Sequence, residues 1–268
     1  NASAAEATAE VDEGSEQSDH LNGIGDGDTV VLPEGQYVLR NDARIEADNF
    51  TFNGNGSTIE TYGRRHVHID GKGWEFGHVD FAPQNDSDPD HWCTVHPRGD
   101  GWRFHHCAWS EVNDTRYVDG DNRRMGCLLP GIQSGGNAEI ADCWFGHGCD
   151  TDHGKSAIKT WGIMDGTLWI RRCYFSQMGV YGANSSTTEI YNEGVTNYES
   201  CYFENCYLAC LRTGSHYDTA HVRNCVMNYS DASEIPAREG VPSGVARGML
   251  VYHGPVEVEN THIEASMD

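Results

Sequence analysis

One eight-residue pattern recurs along the chain and limits its fold more than any other feature. Each copy has two apolar side chains two positions apart, a small residue three positions later, and another apolar side chain two positions after that. The seven copies are 74–81, 102–109, 138–145, 168–175, 196–203, 220–227 and 256–263. The small residues are Val79, Cys107, Cys143, Cys173, Cys201, Cys225 and Thr261, at intervals of 24 to 36 residues. A period in this range is typical of solenoids.

The spacing within a copy indicates two short strands. Trp102 and Phe104 alternate as residues on one face of a strand do, and Trp109 follows Cys107 with the same spacing. The three-residue step between Phe104 and Cys107 predicts a two-residue corner. Helical repeats would show apolar spacings of three and four over ten or more residues, so we exclude a helical solenoid.

A third strand is predicted before each small position. Its inward residues are expected around Cys93, Cys127, Ile158, Ile190, Cys210 and Leu250. Three strands per repeat predict a triangular coil whose successive turns stack about 4.8 Å apart. The repeated cysteines are then small apolar core residues and mostly free thiols, rather than redox or metal sites.

At this point the sequence resembles the right-handed parallel β-helix of the pectate-lyase-like superfamily. The resemblance is carried by the corners Arg171-Arg172, Arg223-Asn224 and Glu259-Asn260, and by the stretches 25–39 and 50–60. It implies an all-β, single-stranded right-handed parallel β-helix solenoid with about three strands per coil. The predicted domains are 1–21, an acidic linker or disordered lead, and 22–268, the β-helix.

The excess of acidic residues limits the kinds of partner that the protein can bind. Forty-one acidic residues against 18 basic ones give a net charge of -23, which disfavours nucleic-acid binding. Only three of the basic residues are lysines, a composition that resembles the proteins of extreme halophiles. No stretch reaches the roughly 18 apolar residues that a membrane helix requires. We therefore expect a halophile-type protein that is extracellular or on a cell or virion surface.

The loop 146–160 is the best local candidate for a site. A lyase that removes a proton beside a uronate carboxylate needs a base and a cation to stabilise the developing charge. Lys159 is the predicted base, with Arg212 as its electrostatic partner, and His153 is a further catalytic candidate. Asp150 and Asp152 are predicted to hold Ca²⁺. The alternative is that the loop is only a solvated cluster of ion pairs.

Two further sets of residues complete the predicted site. In the polysaccharide lyases and hydrolases that the sequence resembles, substrate lies along the first strand of several coils. This implies His96, Glu189, Tyr191 and Tyr252 as substrate-binding residues. The alternating carboxylates Asp86, Asp88 and Asp90 are a second predicted Ca²⁺ site, with a solvated acidic loop as the alternative.

Two other kinds of site are disfavoured. A zinc triad of His66, His68 and His78 would need two histidines of a strand to meet one in a corner. Inverting glycoside hydrolysis is disfavoured because GHG at 146–148 and AIKT at 157–160, which superficially match polygalacturonase motifs, share one loop.

The first functional hypothesis is recognition of a polysaccharide or surface glycan, with or without cleavage. If the protein is an enzyme, a polysaccharide lyase is favoured over a glycoside hydrolase. The alternative is a non-catalytic structural or receptor-binding module of a virion spike, a fibre or a cell-surface layer. The acidic lead and the terminal repeat suggest an excerpt of a longer protein that forms a homo-oligomer or joins a larger surface assembly.

Overall fold

The chain is all-β. A computed structural model describes residues 7–8, 14–83, 92–110, 126–133, 135–146, 156–160, 164–178, 181–185, 193–206, 209–215, 217–230 and 247–266. Within these ranges lie 26 strands and one short helix, α1, at Ser18–Asn22.

The strands are short for the most part. In chain order they are β1 Ala7–Thr8, β2 Thr29–Val31, β3 Gln36–Leu39, β4 Ala43–Glu46, β5 Thr51–Thr61, β6 Arg64–Lys72, β7 Glu75–Pro83, β8 Trp92–Asp100, β9 Arg103–His105, β10 Ala108–Trp109, β11 Gly126–Leu128, β12 Gly131–Ile132, β13 Asn137–Ala141, β14 Trp144–Phe145, β15 Ser156–Lys159, β16 Thr167–Arg171, β17 Tyr174–Ser176, β18 Tyr181–Asn184, β19 Val195–Glu199, β20 Tyr202–Glu204, β21 Ala209–Gly214, β22 Ala220–Arg223, β23 Val226–Tyr229, β24 Met249–His253, β25 Val256–Glu259 and β26 His262–Ala265.

Two large parallel sheets contain these strands. The first sheet includes two rows that follow the repeat, β9-β13-β16-β19-β22-β25 and β10-β14-β17-β20-β23-β26, with β7 paired to β9 and β10. The second sheet runs β4-β6-β8-β11-β15-β18-β21-β24, with β12 also paired to β8. Each strand pairs with its equivalent in the next repeat, so the predicted register between repeats is confirmed.

The predicted two-residue corner is present in every copy of the pattern. The residue before each small position has a left-handed backbone, with φ between 47° and 60°; these are His78, His106, Asp142, Arg172, Ser200, Asn224 and Asn260. Short polar residues such as Asn and Asp tolerate this conformation best. The corners are joined by backbone hydrogen bonds, such as that from the Asp142 amide to the Arg171 carbonyl at 3.0 Å.

The repeated cysteines lie in the hydrophobic core, as predicted. Cys107, Cys143, Cys173, Cys201 and Cys225 are all buried free thiols. The Cys173 sulfur interacts with those of Cys143 and Cys201, and the Cys201 sulfur interacts with that of Cys225. Burial raises the pKa of Cys143, Cys173 and Cys201, so these thiols stay neutral.

Opposite charges alternate along the outer face of the first sheet. The Arg103 guanidinium lies 3.3 Å from Glu75 and 3.2 Å from Glu139. The next arginine, Arg171, lies 3.0 Å from Glu139 and 2.9 Å from Glu199. Half-exposed ion pairs of this kind contribute little stability individually, but opposite charges on adjacent strands favour the native register.

One strand of the second sheet lies at a position that the sequence did not predict. The strand between β15 and β21 is β18, and its Ala183 is in register with Ile158 and Leu211. Ile190, the predicted inward residue, lies outside the described ranges. Sequence spacing could not locate this strand because the connections differ in length from repeat to repeat.

The N-terminal segment contributes to the core before residue 22. Helix α1 buries Leu21 among the core residues, and Glu16 forms a parallel bridge with Val38. The boundary between 1–21 and 22–268 remains a prediction, with packed structure on its N-terminal side.

Burial of the cysteines predicts slow thiol chemistry in the native protein. With Ellman's reagent at pH 8, we expect at most one thiol per chain to react within minutes, because nine of the ten cysteines are buried. The tenth is Cys149, outside the described residues, so a Cys149→Ser variant should remove any fast phase. All thiols should react in denaturant. Two or more fast native thiols would contradict the packing of the core.

Aromatic stacking between repeats predicts a large cost for removing one ring. The Phe175 ring centroid lies 5.0 Å from that of Phe145 and 4.5 Å from that of Phe203. Phe175→Ala should lower the free energy of unfolding by about 3–5 kcal/mol, measured by urea denaturation. Ile263→Ala is the control, because Ile263 is 51% exposed and its loss should change stability by at most about 0.5 kcal/mol. Equal losses of stability in Phe175→Ala and Ile263→Ala would contradict the role of aromatic stacking.

Candidate functional site

The outer face of the second sheet carries most of the predicted site residues that the structure describes. Its core-facing side is a column of buried residues matched from strand to strand: Val95, Leu128, Ile158, Ala183 and Leu211. Because successive side chains of a strand point to opposite faces, the residue after each of these faces outwards.

Lys159 and Arg212 belong to one outward column. Lys159 is in register with Asn184, and Asn184 is in register with Arg212. Two strand spacings of about 4.8 Å place the backbones of Lys159 and Arg212 roughly 10 Å apart. The two predicted catalytic residues are therefore neighbours along one face.

An aromatic residue accompanies this column. The guanidinium carbon of Arg212 lies 4.0 Å from the centre of the Tyr252 ring, a cation–π geometry. Tyr252 is on the neighbouring strand β24 and is 50% exposed. The structure thus brings together three predicted residues, Lys159, Arg212 and Tyr252, and adds Asn184.

His96, the fourth described residue of the predicted site, lies further along the same outer face in a cluster of three histidines. His66 and His68 alternate on β6, and His68 is in register with His96 on β8. The His66 Nδ1 lies 2.9 Å from the His96 Nε2, and the His68 and His96 rings stack with centroids 4.3 Å apart. We call these three residues the histidine cluster.

Burial keeps two members of the histidine cluster, His68 and His96, neutral. His96 is only 8% exposed, and burial, followed by the charges of His68, His66 and Arg98, lowers its pKa to about 3. Burial is also the main cause that lowers the pKa of His68, followed by the nearby Arg44. Each of these two imidazoles therefore has one ring nitrogen with a lone pair at neutral pH.

An open pocket of about 630 Å³ adjoins His68. Its polar lining includes Asn22, Asp42, Arg44 and Glu46. The Arg44 guanidinium pairs with Glu46 at 2.9 Å, and Asp42 accepts a hydrogen bond from the His66 backbone amide at 2.9 Å. A hydrogen bond therefore joins the pocket lining to strand β6, which carries His66 and His68.

The disfavoured triad of His66, His68 and His78 is not formed. His78 lies in the first sheet, where it groups with His105 and His106. The partner of His66 and His68 is instead His96, which sequence reasoning placed only in the substrate-binding set. The register between β6 and β8 places His96 beside His68, and this register is visible only in the folded structure.

The remaining predicted residues lie outside the described part of the chain. They are His153, Glu189, Tyr191, Asp150, Asp152, Asp86, Asp88 and Asp90. Their roles, and the Ca²⁺ that the aspartates would hold, stay predictions.

Comparison with known proteins gives no relative for this chain. No protein-family model matches it, and neither the curated proteins nor the solved structures searched gave a match. In the described ranges, no helix has the length and apolar character needed to cross a membrane.

Proposed function

We propose that the protein is a right-handed parallel β-helix of the pectate-lyase-like kind. Two features of the structure support the proposal. Two rows of the first sheet and one row of the second give three strands per repeat. Left-handed corners recur before every small position. The acidic, lysine-poor composition supports a halophilic origin.

On this fold, the outer face of the second sheet recognises a polysaccharide or surface glycan. The observation that carries the proposal is the Arg212 guanidinium over the exposed Tyr252 ring, in a column with Asn184 and Lys159. Charged and amide donors bind the hydroxyl and carboxylate oxygens of a sugar, and an aromatic side chain supplies apolar contact. A row of such groups along adjacent strands suits an extended chain of sugars.

The net charge influences which glycan binds. Lys159 and Arg212 attract an acidic sugar, whereas a net charge of -23 repels it at long range. Concentrated salt screens this repulsion while leaving short contacts, and Ca²⁺ bridges carboxylates. We therefore propose binding that is strongest in high salt, with Ca²⁺ held by the predicted aspartates.

The proposal extends from binding the glycan to cleaving it. Lys159 would remove the proton beside a uronate carboxylate, and Arg212 would stabilise the resulting negative charge. The electron pair would then form a carbon–carbon double bond as the glycosidic carbon–oxygen bond breaks, and the leaving oxygen would take a proton from water. The alternative is a non-catalytic module of a spike, fibre or surface layer. The uninterrupted stacking of rings such as Phe145, Phe175 and Phe203 favours it, because a rigid rod suits a spacer. Both versions imply an extracellular or surface location.

Arg212→Ala should weaken glycan binding about tenfold or more, because a charged hydrogen bond contributes roughly 1.5–3 kcal/mol. The measurement is calorimetric titration with pectate and alginate oligosaccharides in molar salt, with and without Ca²⁺. Arg40→Ala is a matched control, since Arg40 also lies over a tyrosine, Tyr62, at 4.4 Å but on a different part of the chain.

Equal losses in both variants, or no binding by the native protein, would contradict recognition by this face. Ultraviolet absorbance of unsaturated products tests cleavage separately. Product formation that survives Lys159→Ala would exclude Lys159 as the base. Binding without any product would favour the non-catalytic module.

A further inference from the structure

We propose that His66, His68 and His96 form a binding site for one divalent transition-metal ion of the Zn²⁺ class. The site lies on the outer face of the second sheet, on strands β6 and β8, and His96 is two strands from Lys159. It differs from the predicted Ca²⁺ sites in its residues and in its donor atoms. The proposal does not depend on glycan binding.

The three side chains converge on a small volume. One ring nitrogen from each histidine lies within 4.8 Å of the other two, and His66 Nδ1 is 2.9 Å from His96 Nε2. A tetrahedral Zn²⁺ with bonds of about 2.0–2.1 Å separates its ligand nitrogens by roughly 3.3 Å. The distance between His66 and His96 is slightly shorter than this value and no separation exceeds 4.8 Å, so side-chain adjustments can complete the site.

The strands hold these histidines in place. Side chains at alternate positions of a strand share a face, which places His66 and His68 together on β6. Strand β8 pairs with β6 over nine successive positions, and this fixes His96 against His68. A donor set carried by two long paired strands changes little when a metal binds.

Unused ring nitrogens point to a ligand. The Nδ1 atoms of His68 and His96 are buried, and neither has a hydrogen-bond partner among the residues with described positions. Leaving a buried polar atom unpaired is costly. Imidazole nitrogen is a preferred ligand of Zn²⁺, Cu²⁺ and Ni²⁺, so a metal ion bound at His68 Nδ1 would relieve this cost there. His96, whose Nε2 faces His66, would bind the metal through Nε2.

The other histidine group has a different explanation. His105 Nε2 pairs with Glu75 Oε1 at 2.7 Å, and its Nδ1 lies 2.9 Å from His106 Nδ1. Both ring nitrogens of His105 therefore have protein partners. Glu75 also pairs with Arg103, at 3.3 Å. A hydrogen-bonded ion-pair network accounts for these contacts without a metal.

The surroundings of the histidine cluster suit a cation that keeps an open position. Asp42, Glu46 and Asp70 are nearby carboxylates, and the last two pair with Arg44, at 2.9 and 3.8 Å. Three protein ligands leave a fourth position on Zn²⁺ for water or a small ligand. The pocket beside His68 gives such a ligand room and access.

The test uses the full chain, stripped of metal with a chelator. Calorimetric titration with Zn²⁺ should give one tight site per chain. Titration with Co²⁺ should give visible absorption bands of the intensity typical of tetrahedral coordination. His68→Ala should weaken Zn²⁺ binding by at least about 100-fold, since losing even an outer-shell partner costs 10–100-fold. His106→Ala, in the other histidine group, is the matched control and should bind normally.

Several results would overturn the proposal. These are no Zn²⁺ binding at micromolar concentrations, native affinity in His68→Ala, or loss of binding in His106→Ala. His66→Ala repeats the test at a half-buried position if His68→Ala does not fold, and circular dichroism checks the fold of each variant. Zn²⁺ should raise the Tm of the native protein but not of the cluster variants. Arg212→Ala should retain Zn²⁺ binding, which separates this site from the proposed glycan face.

Discussion

The structure depends on parallel backbone hydrogen bonding between equivalent strands of successive repeats. Once one pair is in register, every equivalent residue of the next repeat is placed over its counterpart. Cysteine then packs on cysteine and phenylalanine on phenylalanine, as at Cys173 on Cys143 and Phe175 on Phe145. A shift of one residue would move each core side chain to the surface, so the apolar pattern and the hydrogen bonds enforce the same register.

The same constraint organises the surface. Arginine and glutamate alternate along the outer face of the first sheet, which places opposite charges on neighbouring strands. On the second sheet, the column that includes Lys159 and Arg212 and the cluster around His96 arise in the same way. A functional surface on such a fold is therefore a row of side chains along the outer face. Each repeat contributes one side chain to the row, and these side chains set its chemistry.

Two kinds of chemistry are separated along the second sheet. Toward the C-terminal repeats, cationic and aromatic side chains suit an oxygen-rich ligand such as a sugar. Toward the N-terminal repeats, the three converging imidazoles of the histidine cluster suit a metal ion. The rigidity of the paired strands β6 and β8 positions the imidazoles, and the exposure of Tyr252 leaves the other end open to a large ligand.

The repeat, the corners and the buried cysteines follow from the amino-acid sequence alone, because local spacing and the requirement that an apolar face be covered set them. The sequence also placed Lys159 and Arg212 on the first strands of two coils that one further coil separates. The structure was needed to show that Ala183 lies in the strand between β15 and β21, and that His96, and not His78, joins His66 and His68. Both outcomes depend on the register between strands separated by connections of unequal length, and local pattern carries no information about that register.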